Sequence, residues 1–248
     1  EGGFNWAAPA RTFPRAVRLL AEEAYRPPVL AGLAVSVGGL TESVVKSSSK
    51  ALLDWAREVR ASGNLRPLDD LCRSIIVLFD TYSKEDRVIV PMLKMVDLLL
   101  ANEVLEHTCT EENSFALDLL GKLQQELRNC SNVHKFLAAA AVATGLLKHP
   151  GQAQVAALRF VLILLGHRFP RVRSATAEAF YSAALANDTA LPAAAQPHSE
   201  ELLDLLLTGH WGADRPTARS QRDAVAALLR LPAPAAPPPP RGGNEQQG

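Results

Sequence analysis

Apolar residues recur along this chain at intervals of three and four, the spacing of one helical face, and no segment sustains the period-two alternation of a strand. The clearest unit is Arg26 to Trp55, RPPVLAGLAVSVGGLTESVVKSSSKALLDW. Pro27 and Pro28 suit a first helical turn, where a missing N–H costs nothing, and Val29, Leu30, Leu33 and Val37 then share a face. Gly38 and Gly39 predict the stop, with a glycine in the left-handed conformation closing the helix. Thr41 is placed to cap a second helix, and Glu42 lies near the positive end of its dipole. In that helix Val44, Val45, Leu52 and Trp55, with Ala51 as a spacer, lie opposite Lys46, Lys50, Asp54 and Arg57. So short a connection makes the two helices antiparallel neighbours.

The same logic predicts a lead-in helix near Phe13 to Ala24. Further helices are expected near Pro67 to Thr81, Lys84 to Ala101, Ser114 to Asn129, Asn132 to Lys148, Gly151 to Gly166, Pro170 to Asn187, Ser199 to Thr208 and Thr217 to Leu231. Taken in pairs, the second helices open at Thr41, Ser83, Ser131, Pro170 and Thr217, at intervals of 42, 48, 39 and 47 residues. These bracket the period of about 40 to 47 of HEAT and armadillo repeats, so the expected fold is an all-α solenoid of about five antiparallel helix pairs. Phe169 to Tyr181, FPRVRSATAEAFY, resembles the second helix of a HEAT repeat. That resemblance gives Arg173 an inter-repeat contact with acidic groups, and Arg171 a similar one. Alanines 138 to 141 place small residues around the helix Asn132 to Lys148, as in the middle of a stacked array. Pro91, inside its helix, predicts a kink. Residues 1–12 read as a flexible lead-in and 13–231 as the solenoid. The tail, PAPAAPPPPRGGNEQQG from Pro232, has no apolar face to offset the cost of ordering and is expected to be disordered.

Composition adds exclusions. A chain of 248 residues with 48% hydrophobic content can build a sizeable core. Its 26 basic residues balance 26 acidic ones, so no bulk field points to nucleic acid or to an anionic membrane. The most apolar run, Val155 to Leu165, contains Arg159 and falls short of the roughly 20 residues that span a bilayer. Three cysteines, Cys72, Cys109 and Cys130, lack C-x-x-C spacing and read as packed thiols of a reducing compartment. The first residue is Glu1 rather than Met, which reads as part of something longer.

Motifs for chemistry are thin. Ser47 to Lys50 matches S-x-x-K, yet S-D-N and K-T-G are missing, and a polar helix face accounts for the match. Gly38, Gly39 and Thr41 follow no strand and lack the Walker pattern. His107 and Cys109 supply two potential metal ligands where three or four are needed. The remaining histidines, His134, His149, His167, His198 and His210, are scattered, and the acidic pairs Asp69–Asp70 and Glu111–Glu112 fall near helix starts, where the dipole favours them. The sequons at Asn129 and Asn187 matter only in a secreted chain. No catalytic residue, cofactor or metal is expected.

Within this pattern, LAGLAVSVGGLTESVVKSSSKALLDW resembles the C-terminal region of tubulin-folding cofactor D, the tubulin-specific chaperone D family. Similar stretches follow at Asp86 to Leu100, DRVIVPMLKMVDLLL, and at His167 to Tyr181, HRFPRVRSATAEAFY, while Trp211 lies where the family's final repeats also carry a tryptophan. The resemblance covers the span from Phe13 to Leu231. It implies a cytosolic HEAT-repeat protein, several times longer than this chain, that receives β-tubulin after the chaperonin and joins cofactors E and C in assembling αβ-tubulin. It further implies an Arf-like small GTPase as partner, promotion of GTP hydrolysis by tubulin within the cofactor assembly, possible cytoskeletal association and no enzyme activity of its own. Gly38, Gly39, Leu40, Thr41 and Glu42, which carry the family motif, and Arg171 and Arg173 are the candidate partner contacts. The alternative is a general HEAT scaffold for transport or phosphatase assembly. Neither nucleic acid nor an integral membrane segment is expected, although folding could gather Arg168, Arg171 and Arg173 into a patch.

Overall fold

The computed structural model describes residues 8–110 and 112–234, and among these it contains eleven α-helices and no strand. The expectations for residues 1–7, Glu111 and 235–248, which include most of the lead-in and of the Pro-rich tail, lie outside the described residues. The helices are α1 (Pro9–Ala16), α2 (Arg26–Val37), α3 (Glu42–Ala61), α4 (Arg66–Thr81), α5 (Asp86–Ala101) and α6 (Phe115–Leu127). They continue with α7 (Val133–Gly145), α8 (Gln152–Leu165), α9 (Pro170–Ala186), α10 (Ser199–Thr208) and α11 (Arg215–Leu228). The first helix begins at Pro9, four residues before the predicted start, because a proline opens it, and it passes into a 3₁₀ turn at Val17–Ala21. Residues 9–12 are therefore helical. The segment before α10 is also more ordered than a plain loop: a 3₁₀ turn spans Ala193–His198, and Leu191 and Ala195 are buried.

The helices stack in two rows. Helices α5, α7 and α9 form one row and α4, α6 and α8 the other, and the rows meet where α7 packs on α6 and α8 and where α8 packs on α9. The end pairs depart from that order. At one end α2, the first helix of its hairpin, stacks on α5 and also touches α4, while α3 turns outward to pack on α1 and α2. At the other, α10 stacks directly on α9, and α11 falls back against α8. The expected alignment of Thr41 and Thr217 with the other second-helix starts therefore holds along the chain and not in space. Helix α7 is in the middle, touched by α5, α6, α8 and α9. Its buried Ala139, Ala140 and Ala143 let neighbours approach closely on several sides.

The opening hairpin has the expected helices, but its glycines do different work. Gly38 has φ −89° and ψ 7°, so no left-handed closure occurs there. It is glycine because a Cβ would lie 2.3 Å from both the Cα and the carbonyl oxygen of Pro91. The end of α2 thus rests on the backbone of α5 at its interior proline, and Lys94 Nζ donates to the Gly38 carbonyl at 3.4 Å. Helix α5 is one continuous helix from Asp86 to Ala101 with Pro91 inside it. Thr41 sits at the N-cap position of α3 with extended dihedrals, yet its side chain makes no capping hydrogen bond. The side-chain caps that do form are at Asn132, which accepts from His134 N at 3.0 Å, and at Asp214, which accepts from Thr217 N at 2.8 Å.

Candidate partner-binding surface

The α2–α3 turn and the start of α9 stand at different places in the array, since α5 and α7 lie between α2 and α9 in their row. Leu40 is 97% exposed, and Thr41 and Glu42 are exposed beside it, while Gly38 is buried beneath them and Gly39 half-buried. This tip presents a bare leucine and an acid to solvent. Arg171 is exposed on the first turn of α9.

Arg173, two residues on, is only 1% exposed. Its guanidinium donates to the carbonyls of Trp211 and His167 at 2.8 Å each, to that of Arg168 at 3.3 Å, and to that of Ala213. The predicted inter-repeat contact is present, but its acceptors are main-chain carbonyls where acidic side chains were expected. The planar fork of an arginine suits acceptors spread around it, and buried carbonyls need donors. Arg173 ties the α8–α9 loop to the α10–α11 loop.

A second tie had no signal in the sequence. Lys135 of α7 is 2% exposed, and its ammonium lies between Asp86 at the start of α5 and Glu126 near the end of α6, 3.0 Å from the latter. Glu126, also 2% exposed, accepts from Ser83 Oγ at 3.0 Å and from Lys84 N at 3.1 Å. Asn132 Nδ2 donates to Asp86 at 2.6 Å, and Lys84 Nζ reaches the carbonyls at the end of α6. Partial burial would raise the Asp86 carboxyl, but hydrogen bonds from Lys135 and Asn132 and the lysine charge hold it below its ordinary value. Acids on two other elements mark this lysine as structural, and no spacing within α7 reveals them.

Concave features lie between helices, two of which bear on partner binding. A trough of about 280 Å³ crosses α5, α7 and α9, lined by Asp97, Ala101, Ala141, Gly145, Ala179 and Ala183 among others. Burial pushes the Asp97 carboxyl up. The other, of about 480 Å³, lies between α1, α2 and α3 with a predominantly apolar lining that includes Phe13, Leu19, Val29, Leu33 and Val44.

His167 packs against Phe136 in a tilted arrangement, ring centroids 4.2 Å apart, and its Nδ1 accepts from Phe169 N at 3.2 Å. Burial, followed by the charges of Arg168, Arg215 and Arg173, lowers its pKa from 6.5 to about 4. The folded protein therefore disfavours the imidazolium. Stability from this group is full above pH 6.5 and is lost as pH falls toward 4, on the order of 2 kcal/mol. Chemical denaturation near neutrality and near pH 5 should show the loss. His167→Asn, which keeps an acceptor for Phe169 N, should flatten it, and an unchanged slope in that variant would refute the assignment.

The sequence's reactive candidates are engaged in ordinary structural contacts. Lys50 Nζ lies 2.5 Å from Asp54, not on Ser47. His107 Nε2 is 3.2 Å from Asp69. Cys72 and Cys109 are buried, and burial raises both thiols, the latter to about 11. Among the described residues no helix is long and apolar enough to cross a membrane, and no cluster of three or more His, Cys, Asp or Glu is placed to hold a metal ion.

Two rows of stacked antiparallel helices, tied through their loops, define an α-solenoid of the helical-repeat class. The sequence model of the family described as tubulin folding cofactor D C terminal matches residues 1–135 of the 248, and the chain belongs to that family. The helices beyond residue 135 continue the rows that the matched part begins. No solved structure matches the chain.

Proposed function

We propose that this chain is a tubulin-folding chaperone module. In this reading it binds β-tubulin, takes part with cofactors C and E and an Arf-like small GTPase in assembling the αβ-tubulin heterodimer, and contributes to activating GTP hydrolysis by tubulin within that assembly. It acts by binding, with no active site of its own, in the cytoplasm and at the microtubule cytoskeleton. Membership of the cofactor D family carries the reading. The architecture agrees with it: a two-row helical array offers an extended face to a large protein while its core stays intact.

The test is native affinity capture with the full-length parent, with and without residues 27–231, followed by mass identification of the bound proteins. Loss of β-tubulin or of its cofactors on deletion supports the reading. Equal recovery of both from the two forms overturns it for this region, and loss of transport or phosphatase subunits instead would make the chain a scaffold of another kind.

A further inference from the structure

Arg173 does more than join two loops. By donating to the carbonyls of His167 and Arg168 on one side and of Trp211 and Ala213 on the other, it brings Arg168 beside the start of α11. Arg215, Arg219 and Arg222 follow at helical spacing along one face of α11. Arg222 is buried over Gly166, where a glycine Cβ would meet its guanidinium at 2.8 Å. Five arginines therefore converge where α8, α9 and α11 meet. The two aspartates among them are already engaged, Asp214 capping α11 and Asp223 paired with Arg222 at 2.6 Å. His167 faces the same cluster and is neutral near pH 7. Arg168 and Arg215 are exposed, Arg219 is half-buried with its Nε shielded and without a partner, and none of the three has a carboxylate partner among the described residues.

We propose that Arg168, Arg215 and Arg219 form a docking surface for an acidic segment of a partner polypeptide. Like charges held this close raise the free energy of the unbound surface, and carboxylates accept the arginine fork in bidentate geometry. The patch is short, Asp214 and Asp223 border it, and the guanidinium of Arg168 covers the Phe169 ring at 4.6 Å. A nucleic-acid strand would want a longer stripe and a free aromatic face, so a short run of Glu and Asp side chains fits better. Such a surface does not depend on which client the chain carries.

The test uses the full chain and a fluorescently labelled oligo-glutamate peptide, read by anisotropy, with oligo-thymidylate of equal length as comparison. The peptide should bind and should weaken about tenfold as salt rises from about 50 to about 200 mM. The triple variant Arg168→Gln, Arg215→Gln, Arg219→Gln should bind at least about tenfold more weakly, whereas Arg57→Gln with Arg60→Gln, on α3, should leave binding unchanged. Equal binding by the triple variant overturns the proposal, as does tighter binding of oligo-thymidylate than of the peptide. Should the triple variant fail to fold, hydrogen exchange on the unsubstituted chain decides: protection of residues 167–171 and 213–219 by the peptide supports the surface, and unchanged exchange there rejects it.

Discussion

Replacing Lys135 with alanine is expected to remove about 3 to 5 kcal/mol of unfolding free energy, the usual effect of stranding one member of a buried ion pair. The lysine and Glu126 are each 2% exposed, so the carboxylate left behind is poorly hydrated. Ser83 Oγ and Lys84 N would still donate to it, but the ammonium 3.0 Å away would be gone. The double variant Lys135→Met, Glu126→Gln removes both charges and keeps an acceptor for Lys84 N, and it should recover most of the loss. Urea denaturation at neutral pH measures both; a single variant within about 1 kcal/mol of the unsubstituted chain would refute the account. The Asp86 pKa is held below 3.8, so its contribution is present above that pH and fades as pH falls through the folded value. Burial would lower the Lys135 pKa, but Asp86 and Glu126 raise it above 10.5, so its contribution is present below 10.5 and fades at higher pH.

Gly38→Ala should cost about 3 kcal/mol, at the upper end for overpacking. The new Cβ would be 2.3 Å from two backbone atoms of Pro91, and no rotamer change can relieve a clash with backbone. Helices α2 and α5 would have to separate, and α5 is the helix on which α2 packs most extensively. Gly32→Ala, in the same helix with nothing within 4 Å of the added carbon, is the control. It should gain about 0.5 to 1 kcal/mol from helix propensity alone. Thermal melting compares the two, and a Gly38→Ala protein that melts together with the unsubstituted chain would show that the contact carries no weight.

Gly38 also shows what the sequence can and cannot convey. That it ends α2 is written locally, in the prolines that open the helix and the glycines that close it. That it must be glycine depends on Pro91, which neither periodicity nor turn chemistry places against it. The same division runs through the array. Apolar spacing located the helices because a helix is specified within a few turns, whereas the stacking of α2 on α5 and of α10 on α9 is decided by packing between distant segments. Arg173 was legible as an inter-repeat residue from the FPRVR stretch, but its acceptors are backbone carbonyls that carry no side-chain signature. Lys135 looked like any polar position on an alanine-rich helix, because Asp86 and Glu126 reach it from other elements. Of the arginines close in sequence, Arg168, Arg171 and Arg173, only Arg168 belongs to the proposed surface; Arg173 is buried beneath it, and Arg215 and Arg219 join through the fold.

The irregular stacking at both ends confines the regular register to α4 through α9. Within that span a whole helix pair can be gained or lost without altering the kind of neighbour any remaining helix meets, whereas a single inserted helix would send every later one into the opposite row. Duplication would therefore preserve the two rows when it adds or removes helices in units of two.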